Sequence, residues 1–545
     1  MILTPQQLWK DYDRKAIPLA ETVIHESEDA DCFFRTLYFN GERAEDGVTR
    51  IYAKFYEPKC RFGNAAVIVF DDIEKTVEEF DPAPYLKNGF SVLTIDYAGI
   101  GEYKERFTIY PKSFAHANYS SNPSSPEDTA IPPDRCAGYI YATSALRGVT
   151  LLEKKGYEDL FILGVGAGGA QVWKTSYFDN TVRAGAVLFS DGPRKFQHPK
   201  TSGEEKGDFT YRAAIDSSAY ANFIKSPIFM LVASNEQNAS LDYMNELYET
   251  TPAGSAYFSV VERSNRYIDE NRSDNIVQWF SSVLRGERLP APPEIRAKGS
   301  QNKLYYEIKA ACPESVSELS LFVAHMQKNS AFRNWRTEKC PAVAEGEYLA
   351  NVAVLSADEP VYAFVNTRYE SGLVLSSKVI SVVPSALSVH PAPLSFKRLI
   401  YDSSMGISDW LILANPGVNV GVGFNRTIAM QKGPFGLEGV TSPSNLLTTF
   451  RLADPGFKGR DGSALQFSMY SSLQQKVSFS IRVADEVFSK YSCIKEFSGE
   501  EAWIKFSLSP NDFKGPGAAL NTWQSVITLE IQSTEPILVN SLLWV

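Results

Sequence analysis

A chain of 545 residues is long enough for about three domains, each with its own core. Hydrophobic residues at 44% and charged residues at 22% describe an ordinary globular protein. A formal net charge of -10 leaves no excess of Lys and Arg to displace counterions, which argues against a nucleic-acid partner. No window approaches 18 consecutive apolar residues, so neither a membrane span nor a membrane partner is expected.

The start, "MILTPQQLWKDYD", has no basic segment followed by an apolar one, so no signal peptide is expected. Thr4 and Pro5 are placed as N-cap and first residue of a short helix. The strands "VTRIYAKFYEP" and "NAAVIVFDD" follow, then a helical piece at "DPAPYLKNG" with Gly89 as its stop. "FSVLTIDYAGIGE" is a buried strand running into a glycine-bearing loop. "AGYIYATSALRGVTLLEKKGY" has helical spacing through Tyr141, Ala145, Val149 and Leu152. "DLFILGVGAGG", "RAGAVLFSDGP", "SPIFMLVASNE" and "SAYFSVVERSN" are further strands, and "DNIVQWFSSVLRG" is an amphipathic helix that closes the unit near Gly286. Such alternation implies a mostly parallel sheet covered on both faces.

"GERLPAPPEIRA" is a Pro-rich linker. Beyond it the helical period disappears. "KLYYEIKAA", "SELSLFVAHM", "YLANVAVLS", "EPVYAFVNTRY" and "LSSKVISVV" predict an Ig-like β-sandwich. After a second Pro-rich stretch, "PSALSVHPAPL", six more strands from "SDWLILA" to "ILVNSLLWV" predict a second sandwich of jelly-roll size. The expected architecture is therefore an α/β domain over 1–286, an Ig-like sandwich over 295–385 and a jelly roll over 391–545. The six cysteines (Cys32, Cys60, Cys136, Cys312, Cys340 and Cys493) are scattered without C-x-x-C spacing, which fits reduced thiols in a cytoplasmic protein.

Chemistry concentrates at "LFILGVGAGGAQVWK". As G-x-G-x-x-G, Gly164, Gly166 and Gly169 would cradle a pyrophosphate, with Asp191, about 20–25 residues on, toward a ribose. Dinucleotide loops usually follow the first strand of their unit, however, and several strands precede this one. No second mononucleotide half follows Asp191, and no cofactor is expected. As G-x-S-x-G, Gly164 to Gly168 form a nucleophile elbow in which glycine stands at the serine position.

The second pattern extends further along the chain. "YLKNGFSVLTIDYAGIGE", the helix leading into the glycine turn, "SPIFMLVASNEQNASLDYMNELY" and "SAYFSVVERSNRYIDENRSDNIVQWFSSVL" resemble the corresponding stretches of the α/β-hydrolase superfamily, over roughly residues 45–285. The closest flavour is that of acetyl-xylan-esterase-like and PhoPQ-regulated-protein-like hydrolases, where a β-sandwich can follow with an "F-R-x-W" feel like "SAFRNWRTEKC". The resemblance implies a serine esterase whose triad falls on the following positions. The nucleophile falls on Gly166, which has no side chain. The acid falls on or beside Glu236, still a carboxylate. The base falls near Asn265 or on Arg266, a guanidinium that stays protonated and cannot accept a proton. The oxyanion segment reads "VFDDIEK", and Asp71 and Asp72 there oppose a developing anion by like charge.

No histidine lies between Ser255 and Gly286. His116 and His198 sit in expected loops and could reach the cleft, although solvated loop histidines are far more common. Asp71, Asp72 and Glu74 could hold a cation, but an acidic loop is usually only solvated, and no metal is expected. Trp410, Trp503, Trp523 and Trp544 lie in the last unit. A Trp inside an alternating strand is more often core; Trp544 is expected there, and Trp523, at a loop edge, is the best exposed candidate for a sugar platform. Three functions stay open: a hydrolase fold that has lost catalysis and binds a small molecule or carbohydrate, with His198, Asp71, Asp191 and Trp523 as candidate contacts; an active esterase using His198 or His116 as base; and a carbohydrate-binding accessory protein.

Overall fold

The computed structural model describes residues 4–61, 63–100, 106–124, 128–190, 205–265, 267–268, 270–391, 394–412, 423–424, 428–485, 487–515, 517 and 519–545. The first unit is built on nine strands: β1 (Thr22–Glu28), β2 (Cys32–Ala44), β3 (Gly47–Pro58), β4 (Ala65–Phe70), β5 (Ser91–Asp96), β6 (Asp159–Val165), β7 (Val182–Leu188), β8 (Ile228–Ala233) and β9 (Ala256–Val261). They form one sheet in the order β1-β2-β3-β5-β4-β6-β7-β8-β9. β1, β2, β3 and β5 pair antiparallel, and every pair from β5 through β4 to β9 is parallel.

Eight helices accompany the sheet among the described residues: α1 (Pro5–Trp9), α2 (Ala83–Lys87), α3 (Ala137–Lys154), α4 (Gly169–Phe178), α5 (Glu205–Ala214), α6 (Ser218–Ala221), α7 (Leu241–Thr250) and α8 (Glu270–Leu284). The Thr4 side chain accepts the Gln7 N–H, capping α1 with Pro5 at its first position. Gly89 takes a positive φ just past α2. The central strands read as unbroken apolar runs because both faces are covered. In β4, Ala66, Ile68 and Phe70 pack with α1, α3, α4 and α7, while Ala65, Val67 and Val69 pack with α2 and α8. No helix among the described residues is long and apolar enough to cross a membrane. The six cysteines are unpaired.

The antiparallel hairpin β1–β2 precedes the first strand expected from the sequence. β1 is exposed along its whole length, so it carries no alternation to detect.

Among the described residues, the rest of the chain is almost entirely β. Strands Glu294–Ser300, Lys303–Lys309, Glu347–Val352 and Ala342–Ala344 form one sheet; Arg336–Glu338, Val316–His325, Val361–Tyr369, Val374–Ser376 and Ile380–Val382 form a second. Leu304, Tyr306 and Ile308 meet Leu321, Val323, Ala363 and Val365 between them. Strand alternation sends the intervening Phe322, Ala324 and Phe364 the other way, into the α/β core. Side chains of this unit also clothe the outer edge of β9: the Ser376 hydroxyl accepts the Val260 N–H at 2.7 Å, and Asn366 donates to the Val260 carbonyl at 3.1 Å. The first of these strands begins inside the stretch taken from sequence as linker, because "EIRAKGS" alternates only weakly after two prolines.

A last unit has a six-stranded and a four-stranded sheet around one large buried cluster. It meets the middle unit through Phe332, Leu411, Phe450 and Ile527 and through an Arg336–Asp454 ion pair.

Candidate functional site

The glycine turn lies where a parallel sheet presents its loops, at the C-terminal ends of the strands. β6 runs between β4 and β7 and ends in a single tight turn, Gly166–Gly168, that leads straight into α4. Gly166 has φ +52, the left-handed region that glycine enters without a steric penalty. A strand entering a left-handed residue at the mouth of a helix, in the middle of a parallel sheet, has the local geometry of an elbow turn. Gly168 is pressed against the end of β4: a Cβ there would stand under 3.0 Å from the carbonyls of Phe70 and Asp71.

The space above Gly166 is filled by Asp72. A Cβ at residue 166 would lie under 3.0 Å from Asp72 Cγ, Oδ1 and Oδ2 at once. Asp72 is buried, and its Oδ1 accepts the Ala167 N–H at 3.1 Å and the Ile73 N–H at 2.9 Å. An elbow hydrolase builds its oxyanion hole from the N–H after the nucleophile and an N–H of the loop following an earlier strand. The Ala167 N–H at the turn and the Ile73 N–H after β4 both donate to the chain's own Asp72 carboxylate. A pyrophosphate at the same turn would meet that carboxylate, which also weakens the dinucleotide alternative.

Asp71 accepts the Asp72 N–H at 2.7 Å, and its main-chain carbonyl accepts the Tyr97 hydroxyl at 2.9 Å. Burial pushes its carboxyl up to about 6; the bond from Asp72 N–H opposes this, and the negative charge of Asp72 adds to it. Glu74 is exposed and accepts the Tyr119 hydroxyl at 2.9 Å. Among the described residues, no group of three or more His, Cys, Asp or Glu side chains is placed to hold a metal ion.

Glu236 follows β8 and is buried, and its Oε1 accepts the N–H groups of Gln237 and Asn238, both at 3.1 Å. Its carboxylate thereby braces its own loop. Ser264 and Asn265 follow β9 and are also buried; Asn235 N–H donates to Ser264 O at 2.9 Å, joining the two loops. Arg266, His198 and Asp191 lie outside the described residues. His116 bonds through Nε2 to the Arg135 carbonyl at 2.8 Å, tying one loop to the start of α3.

Later parts of the chain sit on these loops. Asn235 donates to the carbonyls of Ala331 (3.2 Å) and Arg333 (2.9 Å), and Trp335 Nε1 donates to Ser234 O at 3.4 Å. Arg333, fully buried, forks onto both oxygens of Asp242 at 2.6 and 2.7 Å, and its guanidinium lies 3.4 Å from the Tyr362 ring centroid. Arg263 donates to Trp335 O at 2.9 Å and to Thr337 at 2.5 Å. Tyr267–Ile268 pairs in parallel with Gly423–Phe424 of the last unit. The "SAFRNW" segment noted in the sequence is therefore a clamp on the loops after β8 and β9.

Trp523 corrects the sequence expectation of an exposed platform. It is 2% exposed, donates to Ser463 O at 2.8 Å and packs 5.2 Å from Trp544. Its indole N–H finds a carbonyl inside the fold, so a loop-edge position does not force it outward. Trp410 and Trp544 are buried as well, whereas Trp503 is partly exposed.

The chain matches no family model, and it matches no curated protein by sequence. In three dimensions it is similar to the acetyl xylan esterase from Paenibacillus sp. R4, at 14% identity over 49% of this chain and 90% of that one, with a TM-score of 0.42. Acetyl xylan esterase 1 from Thermoanaerobacterium sp. is similar at 15% identity over 52% and 95%, TM-score 0.40. Est1E from Butyrivibrio proteoclasticus, solved with ferulic acid bound, is similar at 11% identity over 44% and 96%, TM-score 0.33.

Proposed function

We propose that this chain is an α/β-hydrolase-fold pseudoenzyme that no longer hydrolyses esters and serves in binding, with carbohydrate as its ligand class. The observation that carries the first half is Asp72. An acyl-transfer enzyme needs a nucleophilic side chain at the elbow and free N–H donors for the tetrahedral oxyanion. Gly166 offers no nucleophile, and the donors of Ala167 and Ile73 already hold an anion. On the sequence resemblance, a base position near Asn265 or Arg266 adds a third loss, because an amide or a permanently charged guanidinium accepts no proton there. Triad members act as a unit, so residual rates stay near those of binding alone. The second half draws support from the two β units, read here as Ig-like and jelly-roll sandwiches, and from the partly exposed Trp503.

A fluorophosphonate probe combined with p-nitrophenyl acetate and acetylated xylan tests the loss of catalysis. The expected result is no labelling and turnover at the buffer background. Stoichiometric labelling, with turnover on the order of 1 per second that the probe abolishes, would overturn it.

A further inference from the structure

We propose that the outer face of the six-stranded sheet in the last unit, around Trp503, Tyr470 and Phe435, is a platform for a neutral polysaccharide; this rests on the carbohydrate half of the function proposed above. Along strand Leu465–Tyr470, the side chains of Leu465, Phe467 and Met469 point into the core, which turns Gln466, Ser468 and Tyr470 outward. Cross-strand register sets the exposed Ser507 opposite Gln466 and the exposed Lys505 opposite Ser468. Ser541 donates to Ser468 at 3.3 Å, and Asn540 to the Glu438 carbonyl at 2.7 Å.

Trp503 crosses this face in a fixed pose. A Cβ on Gly433 would lie 2.9 Å from its Cζ2 and one on Gly439 2.8 Å from its Cη2, so only glycine leaves room for the benzo ring at both places. Its Nε1 donates to Pro434 O at 3.1 Å, and the Tyr470 ring lies 6.0 Å away. In the turn that carries Gly433, Phe435 adopts φ +60 and is 87% exposed. A bulky non-glycine residue in the left-handed region costs on the order of 1 kcal/mol or more, and no burial of the ring within the chain offsets that cost. A rigid indole backed by the protein, a second ring beside it, an aromatic tip standing in water and a rim of hydroxyl and amide groups match one chemistry. A pyranose has an apolar C–H face for the rings and equatorial hydroxyls for the rim. Of Gln466, Ser468, Tyr470, Lys505 and Ser507 on this face, Lys505 alone carries a charge, so a neutral sugar fits better than a polyanion.

Affinity electrophoresis of the full chain in gels containing neutral xylan, mixed-linkage β-glucan or galactomannan tests the proposal. The wild type is expected to be retarded in at least one gel. Phe435→Ala, which removes a solvated ring, and Trp503→Ala are each expected to weaken that retardation about 5- to 10-fold. Phe435→Ala keeps the test valid if Trp503→Ala fails to fold. Retardation unchanged in a folded variant overturns this site while leaving sugar binding elsewhere in the chain intact. No retardation of the wild type in any gel overturns the carbohydrate reading itself. Binding to phosphatidylcholine vesicles that Phe435→Ala abolishes would assign the tip to a lipid surface and overturn the sugar platform.

Discussion

Gly166→Ser is the change that would seem to restore a nucleophile, and the occupied turn makes it a destabilising one. The new Cβ would stand under 3.0 Å from three atoms of Asp72, where ordinary van der Waals contact begins near 3.4 Å. Either the carboxylate leaves the Ala167 and Ile73 N–H groups or the turn opens. Overpacking costs about 1–3 kcal/mol, and a non-glycine residue at φ +52 adds about 1 kcal/mol. The expected loss is about 3 kcal/mol. In an Asp72→Ala background the clash is gone and only the conformational cost of about 1 kcal/mol remains. The double-mutant cycle should therefore show a coupling of about 2 kcal/mol, the double variant being more stable than the sum of the single ones. Urea denaturation of the four proteins, followed by limited proteolysis of the α/β domain, measures it. A coupling within about 0.5 kcal/mol of zero would refute the placement of Asp72 above Gly166. None of the four proteins should hydrolyse p-nitrophenyl acetate, because the proposed function places no base beside a freed elbow.

Three other outcomes follow from groups described above. Asp71 is held up to about 6 from an ordinary 3.8. Its charge therefore costs nothing below pH 3.8, costs progressively more as pH rises toward 6, and costs most above that. Asp71→Asn should thus stabilise the protein at pH 7 by up to about 3 kcal/mol and have almost no effect near pH 4, as read by denaturation at several pH values. Destabilisation at pH 7 would contradict this. Arg333→Ala strands the half-exposed Asp242 and unties the Asn235 loop; a loss of about 2–3 kcal/mol and earlier proteolytic release of the α/β domain are expected. Trp523→Ala should cost about 3 kcal/mol by thermal unfolding while leaving polysaccharide retardation of the folded fraction unchanged, since the indole is core.

What was legible in the sequence was what repeats or what only glycine permits. Buried parallel strands are continuous apolar runs, and the elbow betrays itself by Gly164, Gly166 and Gly168 between a strand and a helix. The Thr4–Pro5 start and the Gly89 stop are local signals, and both hold. β1 was missed because it is exposed along its whole length, and β2 because its buried positions, with Thr36 and Leu37 adjacent, break a clean alternation. The loop after β8 was singled out by resemblance, but its role as a joint was not, since Asn235 and Arg333 are 98 positions apart and no local rule connects them. Asp72 was seen as an unsuitable neighbour of an anion. That it fills the space over Gly166 depends on β4 and β6 being adjacent in space, a tertiary fact. Trp523 failed for the opposite reason: the composition around it is loop-like, while its partners Ser463 and Trp544 lie far away in sequence.

The dressing of β9 by Ser376 and Asn366 bears on how this gene can be shortened. An outermost strand with bare N–H and C=O groups recruits other strands, and natural proteins cover such rims. Here the cover comes from a different unit, one encoded downstream of a proline-rich stretch that looks like a natural place to cut. A stop codon after Gly286 would leave Val260 uncovered and would bare the surface that receives Phe322, Trp335 and Phe364. The product would polymerise rather than persist as a small hydrolase-like protein. The α/β part is therefore not a transferable cassette. Its integrity depends on the downstream reading frame, and the loops after β8 and β9 are held by what rests on them.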